Sequence, residues 1–229
     1  MHTKTIIKSV IGIILMASMA FVFAHGVADR DAAFIEQNPG QALVIFMYLG
    51  AKHMITGYDH ILYLLGVIFF LYRLRDVTIF VTLFAVGHSI TLLTGVLGSI
   101  HVNTYLIDAV IGLSVAYKAL ENLDGLKKLL GFNPNPKLAV FSFGLIHGFG
   151  LATKLQEMTL SDNGIVGNII AFNIGVEIGQ VLALIVMLFF INAWRASGGF
   201  ERYAKNFNFG LMFAGFSLAG YQIYTYSLS

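Results

Sequence analysis

The 229-residue chain contains no cysteine and few charged residues. Without cysteine there is neither a disulfide framework nor a thiolate metal site, so a transition-metal site must use imidazole, carboxylate, amide or thioether ligands. Charged residues make up 11% of the chain, whereas about 25% is usual for soluble domains. The net charge of +2 is too small to indicate a nucleic-acid partner.

What the sequence has in excess is apolar surface. Hydrophobic residues make up 57% of the chain, and the mean hydropathy is +0.78. This composition is typical of a membrane protein, for which lipid is an expected partner. We therefore predict an all-α integral membrane protein, with a bundle of six transmembrane helices after a cleaved signal peptide.

Residues 1–24 have the pattern of a secretory signal. Lys4 and Lys8 precede an apolar run over 10–23, and Ala24 ends it at a suitable cleavage site. The alternative is an uncleaved signal anchor. Cleavage would leave His25 at the mature N-terminus, where its amine and imidazole could chelate a metal, although a loose terminus is the simpler reading. Residues 25–40 are polar and are expected outside the cytoplasm.

The rest of the chain, 41–229, forms the predicted membrane domain. A helix needs about 17 to 25 apolar residues to cross a bilayer. Six runs are long enough: 56–72, 77–97, 105–121, 138–155, 165–193 and 207–227. A shorter apolar stretch, 41–53, is either an outward extension of the first span or a separate half-helix broken near Gly57.

Lysine and arginine in the short loops give the orientation. They fall in one alternate set of loops, as Arg73, Arg75, Lys127, Lys128, Lys137, Arg195, Arg202 and Lys205. The opposite loops, 98–104 and 156–164, contain neither residue type. The first set is therefore predicted to be cytoplasmic. Both mature termini are then expected outside the cytoplasm.

Ionisable residues within the spans are rare and usually mark function, because a charge at the membrane centre is costly. The ones that we single out, in the spans or in the apolar stretch 41–53, are His53, Asp59, His60, His88, Asp108, His147 and Glu177. On a continuous helix His53 and His60 share a face, because seven residues make nearly two turns. A break at Gly57 would instead free His53 from that face and move Asp59 toward an ion.

Measured from the outer ends of their spans, His60, His147, His88 and Glu177 lie roughly 6, 12, 14 and 18 Å deep at the helical rise. Glycine pairs flank His147 in "FGLIHGFG" and Glu177 in "NIGVEIGQ". Such pairs let helices approach closely, so we expect the fourth and fifth spans to pack together and bring His147 near Glu177. These depths predict one shared cavity that opens outward.

Imidazole and carboxylate groups suit nickel, cobalt, zinc or copper. We predict metal ligands at His53, Asp59, His60, His88, His147 and Glu177. Supporting hydrogen bonds are predicted from Asp108, Asn173, Gln180, Ser89 and Thr91, and Asp59 could instead orient His60. The simpler alternative for each of these residues is an interhelical hydrogen bond.

Five motifs in order, "HMITGYDHILYLL", "VGHSITL", "IDAVIGLSVAYKALEN", "FGLIHGFGLA" and "NIGVEIGQ", resemble the HupE/UreJ family. The resemblance covers roughly residues 45–185. It implies a small bacterial membrane protein associated with hydrogenase or urease, nickel or cobalt uptake, and metalloenzyme maturation proteins as candidate partners. It also implies metal-path roles for His53, Asp59, His60, His88, His147 and Glu177. The family pattern favours glutamate where this chain has Asp108.

Three functions follow from these features. The first is a permease for a transition metal, with nickel as the expected cargo and no resident catalytic residues. The second is an intramembrane zinc hydrolase, in which three histidines hold the zinc and Asp59 or Glu177 is the general base. The third is an accessory protein that binds metal or only packs its helices. The sequence shows no nucleotide-binding loop, so transport would be passive or driven by an ion gradient.

Overall fold

A computed structural model describes residues 40–156 and 164–229. The predicted signal peptide, nearly all of the polar segment 25–40 and most of the 156–164 loop lie outside these ranges. All regular structure in the described ranges is helical, which confirms the all-α class there. The helices are α1 (Leu43–Thr56), α2 (Tyr58–Ile68), α3 (Leu74–Leu97), α4 (Thr104–Asn122), α5 (Gly125–Leu130), α6 (Pro136–Gln156), α7 (Ile165–Ala196) and α8 (Phe200–Leu228).

Three of these helices, α3, α6 and α7, are long and apolar enough to cross a membrane. Helices α4 and α8 have 19 and 29 residues, and they carry more polar side chains. The first predicted span, 56–72, differs from the structure because it is not one helix. Helix α2 has only 11 residues and follows a break in the chain.

The break is at Gly57, so the apolar stretch before it forms a separate half-helix, α1. Gly57 has extended backbone angles, φ −71° and ψ 102°. Its N–H donates to the carbonyl of His53, and its own carbonyl accepts from Ile61, so helical hydrogen bonding resumes at once. A Cβ at this position would lie 2.8 Å from Nδ1 of His60 and 3.0 Å from Oδ1 of Asp59. Glycine therefore makes room for these two side chains.

The helices pack mainly as three pairs: α3 with α6, α4 with α8, and α1 with α7. Gly144 and Gly148 of α6 lie against backbone carbonyls of α3, and Gly175 and Gly179 of α7 lie against those of α1. The expected close packing of the fourth and fifth spans, α6 and α7, is therefore wrong for the described residues. The glycine pairs do permit close approach, but a small-residue pair does not specify which helix approaches.

Polar contacts gather the loops that contain lysine and arginine at one end of the bundle. Arg195 donates to the carbonyls of Phe69 and Leu71, at 2.6 and 3.1 Å. Asn122 donates to the carbonyl of Gly66 and to Asn208, both at 2.9 Å. We call this end, formed by residues 69–75, 122–137 and 195–205, the basic end. Helices α1 and α7 run parallel toward it, because Gly175 meets Met47 and Gly179 meets Ala51.

Candidate metal centre

Four histidines from four helices meet inside the bundle. The ring centroid of His60 lies 4.9 Å from that of His53, 6.0 Å from that of His88 and 4.9 Å from that of His147. His60, His88 and His147 are almost completely buried. We call this group the histidine cluster. It joins α1, α2, α3 and α6, so it connects two of the packed helix pairs through α2.

Several nitrogen atoms of the cluster are buried without a hydrogen-bond partner among the described residues. They are Nε2 of His53, Nε2 of His60, Nδ1 and Nε2 of His88, and Nδ1 of His147. Buried polar atoms are normally paired, because leaving them unpaired costs on the order of 1 to 3 kcal/mol each. Coordination of a cation would satisfy such lone pairs, so the donor chemistry of the cluster fits a transition-metal ion.

Asp59 orients His60 at the start of α2. Its Oδ1 atom accepts the backbone N–H of His60 at 2.9 Å and lies 3.0 Å from Nδ1 of the His60 ring. A carboxylate on one imidazole nitrogen fixes the ring and makes the other nitrogen a better ligand. This arrangement leaves Nε2 of His60 for the metal. The break at Gly57 does not release His53 from His60, because their rings remain in contact.

Two sets of potential ligands share His60. One set is His53, His60 and His88; the other is Asp59, His60 and His147. Within each set the potential ligand atoms lie within 4.8 Å of one another. Nε2 of His147 lies 3.3 Å from the Ser114 hydroxyl, so Nδ1 is its open nitrogen. The cluster thus offers two adjacent coordination positions with one ring in common.

Glu177 is not part of this group. It is exposed on α7, beside the exposed residues Ile174 and Ile178, whereas Asn173 and Gln180 are buried. At about 100° per residue Glu177 points roughly 40° from Asn173 and 60° from Gln180, which is enough to cross the edge of the buried face. The expectation that His147 and Glu177 come together is therefore wrong in the structure.

The side chains predicted to support the site have varied partners. Thr91 donates to the Leu145 carbonyl at 2.7 Å, which joins α3 to α6. Gln180 donates to the Val81 carbonyl at 3.3 Å, and Asn173 donates to a carbonyl within its own helix. Ser89 is only partly buried. Thr91 and Gln180 therefore connect helices and do not contact the histidine rings through these bonds.

An aromatic layer separates the histidine cluster from the basic end. Tyr63, Phe84 and Phe143 each lie about one helical turn from a histidine of their own helix, in the direction of that end. The centroid of His147 lies 5.6 Å from that of Tyr63 and 5.1 Å from that of Phe84. The Tyr63 ring also packs against Phe84 and Phe143 at 5.5 and 5.7 Å.

Comparison with known proteins identifies the family of this chain. The family model described as HupE / UreJ protein matches residues 29–229, nearly the whole chain. The chain belongs to the HupE/UreJ family. Among curated proteins and solved structures, no significant match to this chain was found. Family membership and the apolar helices together make it a membrane protein, and the family associates it with metal handling.

Three residues near the histidine cluster were not predicted from the sequence, namely Lys154, Ser114 and Tyr63. Lys154 donates to both carboxylate oxygens of Asp108, at 3.0 and 2.7 Å. Ser114 contacts His147, and the buried Tyr63 hydroxyl has no partner in the described part of the chain. Lys154 was detectable, because it lies inside the predicted span 138–155 and at the same end of the bundle as Asp108.

Proposed function

We propose that this protein binds a divalent transition-metal ion at the histidine cluster and carries it across the bacterial inner membrane. Nickel is the expected cargo, because the sequence motifs resemble those of nickel-associated proteins, and cobalt, zinc and copper also accept imidazole. The observation that supports this function is the set of unpartnered imidazole nitrogens on His53, His60, His88 and His147, which are buried together.

The proposed topology has six crossings. Helices α1 and α2 together make the first, and α3, α4, α6, α7 and α8 make the others. Residues 1–24 are removed as the signal peptide, 25–40 lie outside, and 41–229 form the membrane domain. The basic end faces the cytoplasm, in agreement with the positive-inside rule. The histidine cluster then receives metal from the periplasmic side.

The chain's own residues contribute three things to transport. The imidazoles replace part of the water shell of the arriving ion. Asp59 supplies a negative charge next to His60 and fixes that ring for binding. Two ligand sets that share His60 allow the ion to exchange partners without leaving the protein, since one ring stays bound while the others change.

The test is uptake of radiolabelled nickel by cells that express the protein. The variants are His60→Ala, which removes the shared ligand, and His101→Ala, which changes an exposed loop histidine that contacts only Ser99 in the described residues. We expect uptake to fall to the background of cells without the protein for His60→Ala and to stay at the wild-type level for His101→Ala, at equal amounts of protein in the membrane.

Equal uptake by the wild type and His60→Ala would overturn the transport proposal. Elemental analysis of the purified protein provides a second readout. Zinc retained at one ion per chain would favour the intramembrane hydrolase, because a permease has to release its cargo.

A further inference from the structure

A small cavity of about 20 Å³ lies next to the histidine cluster, between α4 and α8. Its lining residues are Asp59, Asp108, Ile111, Gly112, Leu218 and Gln222. Asp59 is the only member from α2, and the same carboxylate contacts the His60 ring. The Asp59 side chain is 33% exposed, whereas that of His60 is 4% exposed. Asp59 therefore forms the boundary between the cavity and the cluster.

An ion pair borders this cavity. The Lys154 ammonium of α6 donates to both oxygens of Asp108, and the two side chains are only 21% and 14% exposed. Lys154 is also close enough to act electrostatically on His53, Asp59 and His147. It is thus a positive charge beside the approach of a cation, and Asp108 is its counter-ion.

We propose that the cavity between α4 and α8 is the path by which the metal reaches the histidine cluster, and that Asp108 keeps this path open by neutralising Lys154. The proposal rests on the proposed function and adds to it a route and a positioning residue. Asp108 acts here through Lys154, and the metal's ligands remain the histidines and Asp59.

The physical reason is charge repulsion in a poorly hydrated passage. Asp108 and Gln222 line the same small cavity as Asp59, so a divalent cation in this cavity lies near all three side chains. While Asp108 holds Lys154, the ammonium is compensated over the short distance of the ion pair. Without that carboxylate the ammonium beside the passage would lose its paired counter-ion, and local fields of this kind change association rates about tenfold to a thousandfold.

The first experiment removes the two charges separately and together. The protein is reconstituted in nanodiscs, and Co²⁺ binding to the histidines is followed by stopped-flow visible absorbance in the wild type, Asp108→Asn, Lys154→Met and the double variant. We expect Asp108→Asn to slow association at least about tenfold, as the repulsion predicts. The double variant should return to near the wild-type rate. A double variant as slow as Asp108→Asn, or an unchanged rate in Asp108→Asn, would overturn the role of Asp108.

The second experiment blocks the cavity itself. Because the chain has no cysteine, Gln222→Cys introduces a single thiol into the lining, and a cationic methanethiosulfonate reagent can label it. Ser227→Cys, which is exposed near the end of α8, is the matched control. We expect labelling to slow Co²⁺ association at position 222 and not at 227. Equal rates before and after labelling at 222, with labelling verified by mass, would overturn the route.

The two proposals fail in different ways. If the wild type shows no Co²⁺ absorbance at equilibrium, or an absorbance that His60→Ala leaves in place, the metal site itself is wrong. The route then fails with it. If that equilibrium signal is present but the rates do not respond to the charges or to the label, only the route is wrong.

Discussion

The Oδ1 atom of Asp59 lies 3.0 Å from Nδ1 of His60, and the same Asp59 side chain lines the cavity between α4 and α8. One carboxylate therefore lines this cavity and also fixes a buried imidazole. This position suits a group that attracts a cation and prepares its first histidine ligand. It also makes the charge of Asp59, and not its shape, the property that substitutions should test.

Asp59→Asn keeps the side-chain shape and removes the charge. We expect the affinity for Ni²⁺ to fall about 10- to 100-fold, as is usual when a carboxylate partner of a metal-binding histidine is lost. Isothermal titration calorimetry of the purified protein measures this change. Asp124→Asn, an exposed residue at the basic end, should bind as the wild type does. An unchanged affinity in Asp59→Asn would contradict the orienting role.

Glu177→Gln should leave equilibrium metal binding intact. Glu177 is exposed and belongs to neither ligand set, so we expect no measurable change in the affinity for Ni²⁺. The measurement is the same calorimetric titration, made in parallel with Asp59→Asn. A large loss of affinity would show that Glu177 reaches the metal in a conformation other than this one.

Gly175→Ala should destabilise the protein. The new Cβ would meet the backbone carbonyl of Met47 and lie 3.0 Å from the backbone nitrogen of Ala51, so α1 and α7 would have to separate. Overpacking of this kind costs about 1 to 3 kcal/mol. Thermal unfolding in detergent measures the loss, and Gly220→Ala is the matched control, because nothing lies within 4 Å of its added Cβ. Equal melting temperatures for the two variants would argue against the close α1–α7 contact.

Arg195→Ala should loosen the basic end of α2. Its guanidinium donates to two carbonyls after the helix and lies 4.1 Å from the centroid of the Tyr72 ring. Hydrogen bonds from a charged group contribute about 1.5 to 3 kcal/mol each, so for the two bonds we expect the free energy of unfolding to fall by about 3 kcal/mol or more. Hydrogen exchange should increase over residues 69–73. Arg202→Ala, which is exposed, should change neither measurement, and protection of 69–73 that survives Arg195→Ala would count against this anchor.

The convergence of His60, His88 and His147 could be anticipated from the sequence, because helical rise and loop charges set the depth of each residue. Depth does not give the direction of a side chain. Glu177 was placed by depth and by the glycine pair that flanks it, and a rotation of about 40° was enough to put it on the exposed surface. Residues in the middle of a buried face can be assigned with confidence from spacing, and residues at its edge cannot.

The choice of helix partners could not be derived from the sequence either. The glycines of α6 and α7 indicate close approach, but any backbone can fill the groove that they make. Gly57 is a second example of a residue whose close contacts could not be derived from the sequence. The sequence offered a break near Gly57 as one of two alternatives. The contact that explains the glycine, between an added Cβ and the Asp59 and His60 side chains, depends on side-chain conformations.

The aromatic layer has a consequence for the speed of the proposed transport. Tyr63 and Phe84 are fully buried, so neither ring can turn aside unless the close-packed side chains around it also move. An ion that leaves the histidines toward the basic end has to displace at least one of these rings. Tyr63 and Phe84 are not among the residues that line the cavity, so capture from the cavity side does not displace them. Release, and not capture, is then expected to limit the turnover rate, and the metal-bound protein should accumulate during steady transport.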